Sequence, residues 1–376
     1  MRVLIAPDKF KGSLSATQVA DNIATGFAGV DADVATLPMA DGGDGSVAAA
    51  VAAGMPSHEC TVADALGRPT TAIIAFDGTV AVVEVAATCG LSTLPSGILA
   101  PMTASSYGFG QAIRYAIGLG ARRLVLALGG SASTDGGAGM LAALGYTFAD
   151  ADGRQVEPSA AVLHHIHSVS ADDAVDLRGV ELVVATDVTS PLLGPDGAAM
   201  MFGPQKGASA ADIEHLETGL RQLVSGIERT GWPGAGRWAV TPGAGSAGGI
   251  GFAALMVGGR VVSGADYFLD LLDFDGRAHG ADLVITGEGR LDDQTLTGKL
   301  PVVVARRAAP TPVVAVVGLN SMTARTRLFS QIYAVAELSQ DDTADDPVRT
   351  AALLREIGAD IGRRHAVSTQ PAVTSG

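Results

Sequence analysis

Short, wholly apolar segments, each followed by a glycine-rich polar loop and then an amphipathic helix, recur at both ends of the chain. At the N-terminus the segment is Val3 to Ala6, the loop is PDKFKGS, and Ser15 is the predicted N-cap of a helix over residues 16–27. The same period returns in strands and helices predicted over residues 265–272, 283–286, 301–308, 313–317, 332–336 and 346–364. This alternation predicts a parallel α/β sheet, so both chain ends are expected to build one domain.

The central part of the chain has a different pattern. The strand-like runs TTAIIAF and TVAVVEVAA flank Asp77-Gly78, which is a strong signal for a β-hairpin. The chain has 376 residues, and single hydrophobic cores usually stop growing at about 250 to 300 residues. We therefore predict a discontinuous parallel domain of residues 1–60 plus 261–365, an inserted mixed α/β domain of residues 61–260, and a disordered tail of residues 366–376.

The composition limits the classes of protein to which this chain can belong. Hydrophobic residues make up 47% of it, aromatic residues only 5%, and glycines number 49, so we expect a core of small aliphatic side chains in α/β layers. The formal charge of −14, without any basic stripe, excludes a nucleic-acid or anionic-membrane surface. Two cysteines are too few for a disulfide framework. No apolar run reaches the ~18 residues that span a bilayer, and we expect a cytoplasmic protein.

The few lysines stand out among the basic residues. Of the 25 basic side chains only Lys9, Lys11, Lys206 and Lys299 are lysines, and the last three each adjoin a glycine. A flexible point charge beside backbone that can approach a ligand closely is suited to holding phosphate. The alternative is four ordinary surface lysines, and the neighbouring segments favour the first interpretation.

Polar glycine-rich segments follow predicted strands at several points, where open parallel sheets bind their ligands. The segments are PDKFKGS, ADGGDGS, GGSASTDGG, TDVTSP, GPQKGAS and TGEGRLDDQT, with carboxylates at Asp8, Asp41, Asp44, Asp135, Asp187, Glu288, Asp292 and Asp293. Each DGG or EG taken singly is ordinary turn chemistry. Together with the lysines, the set predicts a phosphate and metal site for phosphoryl transfer, which uses hard oxygen ligands, cations and an orienting carboxylate.

A glycine-rich turn near residue 245 points to different chemistry. Gly243, Gly245 and Gly248 fit the pattern G-x-G-x-x-G, and Asp266 follows at the distance that a dinucleotide site requires. Asp266, however, opens a predicted helix, which favours close packing as the role of these glycines. Lys299 is followed by leucine, so the chain has no P-loop motif.

The histidines do not predict a metal site, and the cysteines do not predict a catalytic nucleophile. His164, His165 and His167 lie in a predicted loop and have no suitably spaced partner for a metal. Cys89 is expected to be a small buried residue at a strand end, in preference to a nucleophile. The G-x-S-x-G motif of a hydrolase nucleophile is absent.

Eight blocks between residues 2 and 320 form a recognisable set. They are APDKFKGSLSA, ADGGDGS, EVAATCGL, LGGSASTDGGAGMLAALG, ATDVTSPLLG, FGPQKGAS, TPGAGSAGGIGFA and ADLVITGEGRLDDQTLTGK. In this order they resemble the bacterial type-I class of the glycerate kinase family. The resemblance implies ATP-dependent phosphorylation of D-glycerate, usually to 2-phosphoglycerate, with Mg²⁺. It also implies a flavodoxin-like (Rossmann-like) domain into which a mixed α/β domain with some likeness to restriction endonucleases is inserted.

The resemblance also carries expectations for individual residues. Lys11 or Lys206 would neutralise the transferring phosphate or the glycerate carboxylate, and Asp187 or Asp292 would orient the attacking hydroxyl. Asp187 and Glu288 are the candidate metal ligands. Contacts with substrate or nucleotide are expected from Asp8, Ser13, Asp41, Gly42, Gly43, Gly130, Ser131, Asp135, Gly136, Gly287, Glu288, Gly289, Thr295 and Lys299. The expected ligands are D-glycerate and ATP. No nucleic acid or membrane is expected as a partner, and the protein is expected to be a monomer or a homodimer.

Two other classes of protein are alternatives. A non-catalytic sensor of a small hydroxy acid would bind its ligand without turning over ATP, and it would have no use for so many metal-binding carboxylates. A dinucleotide enzyme built on the PGAGSAGG turn would bind NAD and show no turnover of ATP.

Overall fold

The computed structural model describes residues 1–293, 295–324, 326–339 and 346–368, and the chain divides into two compact units. The first unit contains Met1–Asp41, Ala48–Gly54 and the described residues from Ala265 onward. The second contains Gly42–Val47 and Met55–Gly264. The sequence analysis places Gly42–Val47 in the first domain, whereas its contacts lie in the second unit, for reasons given below.

Strands occur at the segments predicted over residues 3–6, 283–286, 313–317 and 332–336, and several short strands were not predicted. In chain order the strands are Arg2–Pro7 (β1), Asp33–Thr36 (β2), Ser57–Ala63 (β3), Pro69–Phe76 (β4), Val80–Glu84 (β5), Arg123–Ala127 (β6), Thr147–Ala149 (β7), Ser168–Ser170 (β8), Glu181–Ala185 (β9), Arg260–Val262 (β10), Leu283–Gly287 (β11), Arg290–Leu291 (β12), Val313–Val317 (β13), Leu319–Asn320 (β14) and Gln331–Ala334 (β15). Two short pairs, β7 with β8 and β12 with β14, stand apart from the two main sheets.

The helices alternate with these strands. In chain order they are Ala16–Gly26 (α1), Ser46–Ala52 (α2), Val85–Cys89 (α3), Tyr107–Gly118 (α4), Ala138–Ala143 (α5), Ala198–Phe202 (α6), Ala210–Arg229 (α7), Ala235–Val240 (α8), Ile250–Met256 (α9), Gly264–Leu271 (α10), Phe274–Ala278 (α11), Leu300–Ala308 (α12) and Pro347–Ser368 (α13). Within the described ranges, no helix has the length and apolar character needed to cross a membrane.

The first unit contains a five-stranded sheet in the order β15-β13-β11-β1-β2, in which every neighbouring pair is parallel. Numbered along the chain within this unit, the order is 2-1-3-4-5, which is that of flavodoxin-like sheets. Val3 lies opposite Leu283 and Pro7 opposite Gly287, so β1 and β11 end at the same edge. The strand order reverses between these two strands, and their carboxyl ends are therefore the expected place for a ligand. The predicted α/β class is confirmed.

Helices α1 and α13 share one core with the strands of this sheet. The Ser15 hydroxyl accepts the Gln18 N–H at 3.2 Å and the Gln18 side chain accepts the Ser15 N–H at 2.9 Å, which confirms the predicted N-cap of α1. The two helices cross closely, because a Cβ atom on Gly26 would lie only 2.3 Å from the Arg355 carbonyl oxygen. Glycine is needed at this crossing.

Helix α13 continues further than the sequence suggests. It ends at Ser368, so residues 366–368 of the predicted disordered tail are helical. Ion pairs one turn apart, from Arg363 and Arg364 to Asp360, support the last turns of the helix. Residues 369–376 lie outside the described part of the chain.

The second unit contains a six-stranded sheet in the order β10-β9-β6-β5-β4-β3. Strands β10, β9, β6 and β5 are parallel, and β4 and β3 add to them in antiparallel hairpins. The predicted hairpin at Asp77-Gly78 joins β4 to β5: Asp77 Oδ1 accepts the N–H groups of Thr79 and Val80, and Gly78 has a φ of +97°. This turn chemistry fixes the register of the antiparallel edge.

Candidate functional site

Two carboxylates lie at the carboxyl ends of β1 and β11, the switch point of the first sheet. Asp8 follows β1, and its backbone N–H donates to the Gly287 carbonyl at 2.8 Å, while Glu288 follows β11. Burial, reinforced by the negative charge of Asp41, raises the pKa of Asp8 to about 8. Burial also raises the pKa of Glu288 to about 7. Both side chains therefore hold protons at a pH where ordinary carboxylates are ionised.

The Thr295 side chain connects Glu288 to Asp292. Its hydroxyl donates to Glu288 Oε1 at 2.7 Å and accepts the Asp292 N–H at 3.1 Å. Asp292 Oδ1 accepts the Thr295 N–H at 3.0 Å and lies 3.5 Å from Lys299 Nζ. Although burial opposes it, the charge of Lys299 and this N–H hold the pKa of Asp292 below its ordinary value. Asp292 is thus the ionised carboxylate of this network, and Glu288 is the one poised to exchange a proton.

The carboxylates of the first unit fit a divalent cation that arrives with phosphate. Across the described ranges, no three or more metal-ligating side chains are placed to enclose a metal by themselves. In kinases Mg²⁺ is bound by one or two carboxylates together with substrate phosphates and water, so a complete protein cage is not required. The raised pKa values of Asp8 and Glu288 are consistent with such a site, because buried carboxylates that hold protons in the free protein release them when a cation binds. Asp187, the other candidate metal ligand, belongs to the second unit, where it accepts the Gly264 N–H at 2.9 Å.

The PDKFKGS loop lies beside the segment that follows β11. A Cβ atom on Gly289 would be 3.2 Å from the backbone nitrogen of Lys11, so the two segments approach each other at the level of the backbone. The Lys11 side chain is exposed, and the charge of Lys9 opposes the rise in the pKa of Asp8. The buried hydroxyl of Ser13 has no hydrogen-bond partner among the described residues. The loop thus brings the charge of Lys9 and the backbone of Lys11 to the switch point.

In the second unit, the buried carboxylate of Asp135 orders the loop GGSASTDGG, which begins at Gly129 after β6. Asp135 Oδ2 accepts the Ser106 N–H at 2.8 Å, the Ser106 hydroxyl at 2.7 Å and the Gly139 N–H at 3.2 Å, while Oδ1 accepts the Gly137 N–H at 3.1 Å. Asp135 is 0% exposed. With four protein donors on two oxygens, this carboxylate is satisfied internally and holds the loop in place.

Lys206 is buried against the same loop. It ends the short 3₁₀ turn Pro204–Lys206, and its Nζ donates to Ser131 Oγ at 2.8 Å and to the Ser133 carbonyl. The residue is only 2% exposed. Burial lowers the pKa of Lys206 to about 8, although the negative charge of Asp135 opposes the shift. A desolvated cation therefore joins two of the motifs singled out in the sequence, GPQKGAS and GGSASTDGG.

The ADGGDGS loop lies across strand ends of the second sheet. A Cβ atom on Gly42 would be 2.4 Å from the Ala185 carbonyl oxygen at the end of β9, and one on Gly129, which follows β6, would be 2.4 Å from Gly43 Cα. Side chains larger than hydrogen have no room at these points. The contacts explain why residues 42–47 belong to the second unit.

Glu84, at the end of β5, is a site residue that the sequence analysis missed. Its Oε1 accepts the Gly45 N–H and its Oε2 accepts the Val47 N–H, both at 3.0 Å. The residue is 4% exposed, so the carboxylate itself is largely shielded from water. A signal was present, since Glu84 is the one charged residue within the apolar run TVAVVEVAA. A buried carboxylate in such a run needs donors, and here the ADGGDGS loop supplies them.

Substituting Glu84→Gln is expected to loosen this loop locally. The new NH₂ group faces a backbone N–H, so one buried donor loses its acceptor, at a cost of about 1–3 kcal/mol. Amide hydrogen exchange of Gly45 and Val47 should therefore accelerate by about 10- to 100-fold. The matched control Ser46→Ala removes only the bond from the Ser46 hydroxyl to the Gly43 carbonyl and should change these two amides less. Unchanged exchange in Glu84→Gln would mean that the carboxylate does not hold the loop.

A comparison with protein families assigns the chain. The sequence model described as the glycerate kinase family matches residues 3–365, which is nearly the whole chain. The chain belongs to the glycerate kinase family. This agrees with the eight sequence blocks and with the placement of their polar residues at strand ends.

Individual proteins support the same assignment. The chain is 40% identical over 327 residues to the glycerate kinase of Bacillus subtilis (strain 168), with 85% of each chain covered. It is 39% identical over 330 residues to the glycerate 2-kinase of Escherichia coli (strain K12), again with 85% of each chain covered. The crystal structure of a Salmonella typhimurium LT2 protein assigned as glycerate kinase 2 matches with a TM-score of 0.81 and 33% identity, over 99% of this chain and 100% of that one.

In this member of the glycerate kinase family, the GAGSAGG turn packs against protein backbone. A Cβ atom on Gly245 would lie 2.2 Å from the Pro191 carbonyl oxygen, and one on Gly248 would lie 2.0 Å from that of Ser133. The Gly136 N–H also donates to the Gly248 carbonyl at 3.0 Å. These distances agree with the packing role expected for the glycines and leave the dinucleotide alternative without support.

The histidines and Cys89 lie outside the candidate site chemistry. The ring of His164 lies 3.8 Å from that of His165 and 4.7 Å from that of His215, but in the part of the chain that the structure describes these rings do not belong to any cluster of three or more side chains that could hold a metal. Burial raises the pKa of the Cys89 thiol to about 12. A thiol with such a pKa does not act as a nucleophile near neutral pH.

Proposed function

We propose that this chain transfers the γ-phosphate of ATP to D-glycerate, with Mg²⁺ as the metal, and that the product is 2-phosphoglycerate. Membership of the glycerate kinase family supports the activity, and the name of the Escherichia coli relative, glycerate 2-kinase, supports phosphorylation at C2. The observation that carries the proposal is the pair Asp8 and Glu288, two proton-holding carboxylates at the switch point of a flavodoxin-type sheet.

In this proposal the first unit holds the metal and the nucleotide phosphates. Asp8 and Glu288 would ligate the metal, and the cations of Lys9, Lys11 and Lys299 would offset phosphate charge. Bound Mg²⁺ supplies neutralisation of the charge on the β- and γ-phosphate oxygens. Thr295 fixes Glu288 Oε1 with a 2.7 Å hydrogen bond, so the carboxylate needs little reorganisation when its ligand arrives.

Two carboxylates are candidates for orienting the attacking hydroxyl of glycerate. Asp292 remains ionised at neutral pH because Lys299 and the Thr295 N–H hold its pKa low. Asp187 is an exposed carboxylate two residues beyond β9. An ionised carboxylate that accepts the hydroxyl proton is the part that phosphoryl transfer requires of such a residue. In the second unit, Lys206 supplies a cation, since a pKa of about 8 leaves it protonated at pH 7.

An initial-rate assay of purified protein tests the proposal. ADP release, coupled to a change in absorbance, should require D-glycerate, ATP and Mg²⁺ together and should saturate with each substrate. Binding of glycerate without any release of ADP would favour the non-catalytic sensor. Binding of NAD in place of ATP would favour the dinucleotide alternative. Either result would contradict the proposal.

A further inference from the structure

The amino group of Lys206 is a buried cation bonded only to uncharged oxygens. Its two hydrogen-bond acceptors are the Ser131 hydroxyl and the Ser133 carbonyl. Among the described residues, no carboxylate forms an ion pair with Nζ. Removing a charge from water without a counter-charge is expensive, and the lowered pKa of Lys206 reflects this cost.

Asp135 is the acidic residue whose charge acts most strongly on Lys206, yet it does not pair with the amine. Its two oxygens already accept four hydrogen bonds, from Ser106 (twice), Gly137 and Gly139. The bonds that fix Asp135 therefore also keep it from neutralising the lysine at close range. The loop leaves the positive charge of Lys206 inside the second unit without an ion-pair partner among the described residues.

Two hydroxyls in the same loop lack any hydrogen-bond partner among the described residues. Ser133 Oγ and Thr134 Oγ1 are both unpaired, and both residues are 0% exposed. Buried polar atoms in folded proteins are almost always paired, so two unpartnered hydroxyls on successive residues beside a buried cation are available to bond a polar ligand. Donors of this kind match an oxyanion, which accepts several hydrogen bonds and carries the missing negative charge.

The backbone that covers the amine is strained. A Cβ atom on Gly248 would lie 2.9 Å from Lys206 Nζ, so this glycine forms the cover of the lysine. Ala247, Gly248 and Gly249 have φ values of +53°, +69° and +99°, and Ala247 pays a steric penalty in this left-handed region. Strain of this kind is typical of ligand clamps.

We propose that Lys206, Ser133 and Thr134 form the subsite that binds the carboxylate group of the acceptor hydroxy acid. This inference rests on the proposed function and deepens it, because it assigns a group of the substrate to named residues. A single lysine with neutral hydroxyls matches the single charge of a carboxylate. A polyphosphate with its metal needs several cations and carboxylates, and the first unit supplies that set with Lys9, Lys11 and Lys299.

Discrimination between D-glycerate and its neutral amide, D-glyceramide, tests the subsite. We expect the wild-type protein to bind glycerate about 100-fold more tightly than glyceramide in titration calorimetry, since the amide lacks the charge that pairs with the lysine. In Lys206→Met, which keeps the length and apolar stem of the side chain, the preference should fall to about threefold or less. The affinity for Mg-ADP, measured on the same samples, should stay within about threefold of wild type.

A second variant, Ser133→Ala, tests the subsite independently in case Lys206→Met does not fold. Ser133→Ala keeps the cation and removes one orphan hydroxyl, so it should reduce the preference for glycerate by about three- to tenfold. A preference for glycerate that survives in Lys206→Met, or a wild-type protein that does not distinguish glycerate from glyceramide, would overturn the subsite. Loss of Mg-ADP affinity with unchanged glycerate preference would also overturn it and would assign the cation to phosphate. Because binding is measured without turnover, a protein that shows this preference but releases no ADP would refute the proposed function and leave the subsite standing.

Discussion

Substituting Asp135→Asn is expected to lower the free energy of unfolding of the second unit by about 3–5 kcal/mol. The carboxylate accepts four hydrogen bonds at 0% exposure, and an amide has only one oxygen to offer. If that oxygen takes the place of Oδ2, the new NH₂ group faces the Gly137 N–H, and two donors then oppose each other in the core. Each buried donor left without an acceptor costs about 1–3 kcal/mol.

Urea unfolding followed by tryptophan fluorescence measures this loss. Both tryptophans, Trp232 and Trp238, belong to the second unit, so the signal reports on the unit that carries Asp135. The control Asp196→Asn changes an exposed carboxylate of the same unit and should shift stability by no more than about 0.5 kcal/mol. A loss below 1 kcal/mol in Asp135→Asn would mean that the four hydrogen bonds are not what orders the GGSASTDGG loop.

The second large effect is expected at Asp8, where activity and stability should move in opposite directions. Asp8→Asn should lower kcat/KM for ATP-dependent phosphorylation of glycerate by on the order of 10² or more, because the proposal assigns the metal to this carboxylate and the substitution removes its charge. The same substitution should raise the free energy of unfolding of the ligand-free protein above that of wild type. The folded state disfavours the ionised form of Asp8, as its raised pKa shows, and asparagine cannot ionise.

The pH dependence of this stabilisation follows from the direction of the shift. The unfolded chain releases the Asp8 proton near the ordinary value of 3.8, whereas the folded protein retains it up to about 8. Wild-type stability therefore declines as pH rises between these values, and the advantage of Asp8→Asn should grow from pH 5 to pH 8. An advantage of about 1 kcal/mol corresponds to a rise in Tm of about 2–4 °C.

A control substitution at Asp360, in the same unit, should change stability in the opposite direction. The pKa of Asp360 is held low by the Tyr333 hydroxyl, which donates to it at 2.8 Å, and by Arg364. Asp360→Asn should therefore lower the Tm and leave kcat/KM unchanged, since Asp360 lies on α13 and bonds Tyr333 of β15, which is two strands from β11 in the sheet order. An Asp8→Asn protein with wild-type kcat/KM, or with a lower Tm than wild type at pH 8, would contradict the role assigned to Asp8.

Features set by neighbouring residues could be predicted from the sequence. The N-cap at Ser15 and the hairpin at Asp77-Gly78 depend on residues within four positions of one another, and the structure shows both. The strand over residues 313–317 was predicted with its observed bounds because its apolar run has turn signals on both sides. Local chemistry of this kind needs no knowledge of the rest of the fold.

Features that depend on contacts between distant residues could not be predicted in the same way. Glu84 meets the ADGGDGS loop across 39 and 37 positions of sequence, so its two hydrogen bonds cannot be read from spacing. The sequence marked Asp135 as polar but could not show that four protein donors surround it. It likewise predicted a role for Lys206 without its burial, which lowers the pKa of the amine and sets its chemistry.

The most direct test of the central claim is to identify the product of the reaction. Purified protein is incubated with ATP, Mg²⁺ and D-glycerate, and phosphorus NMR follows the fate of the γ-phosphate. The account predicts a phosphate ester on the C2 oxygen of glycerate, visible as a ³¹P doublet from its single neighbouring C–H, formed in step with ADP. Folded protein that binds ATP but forms no phosphate ester of glycerate would contradict the claim that this chain is a glycerate kinase, and an ester on C3 would contradict the assignment of 2-phosphoglycerate.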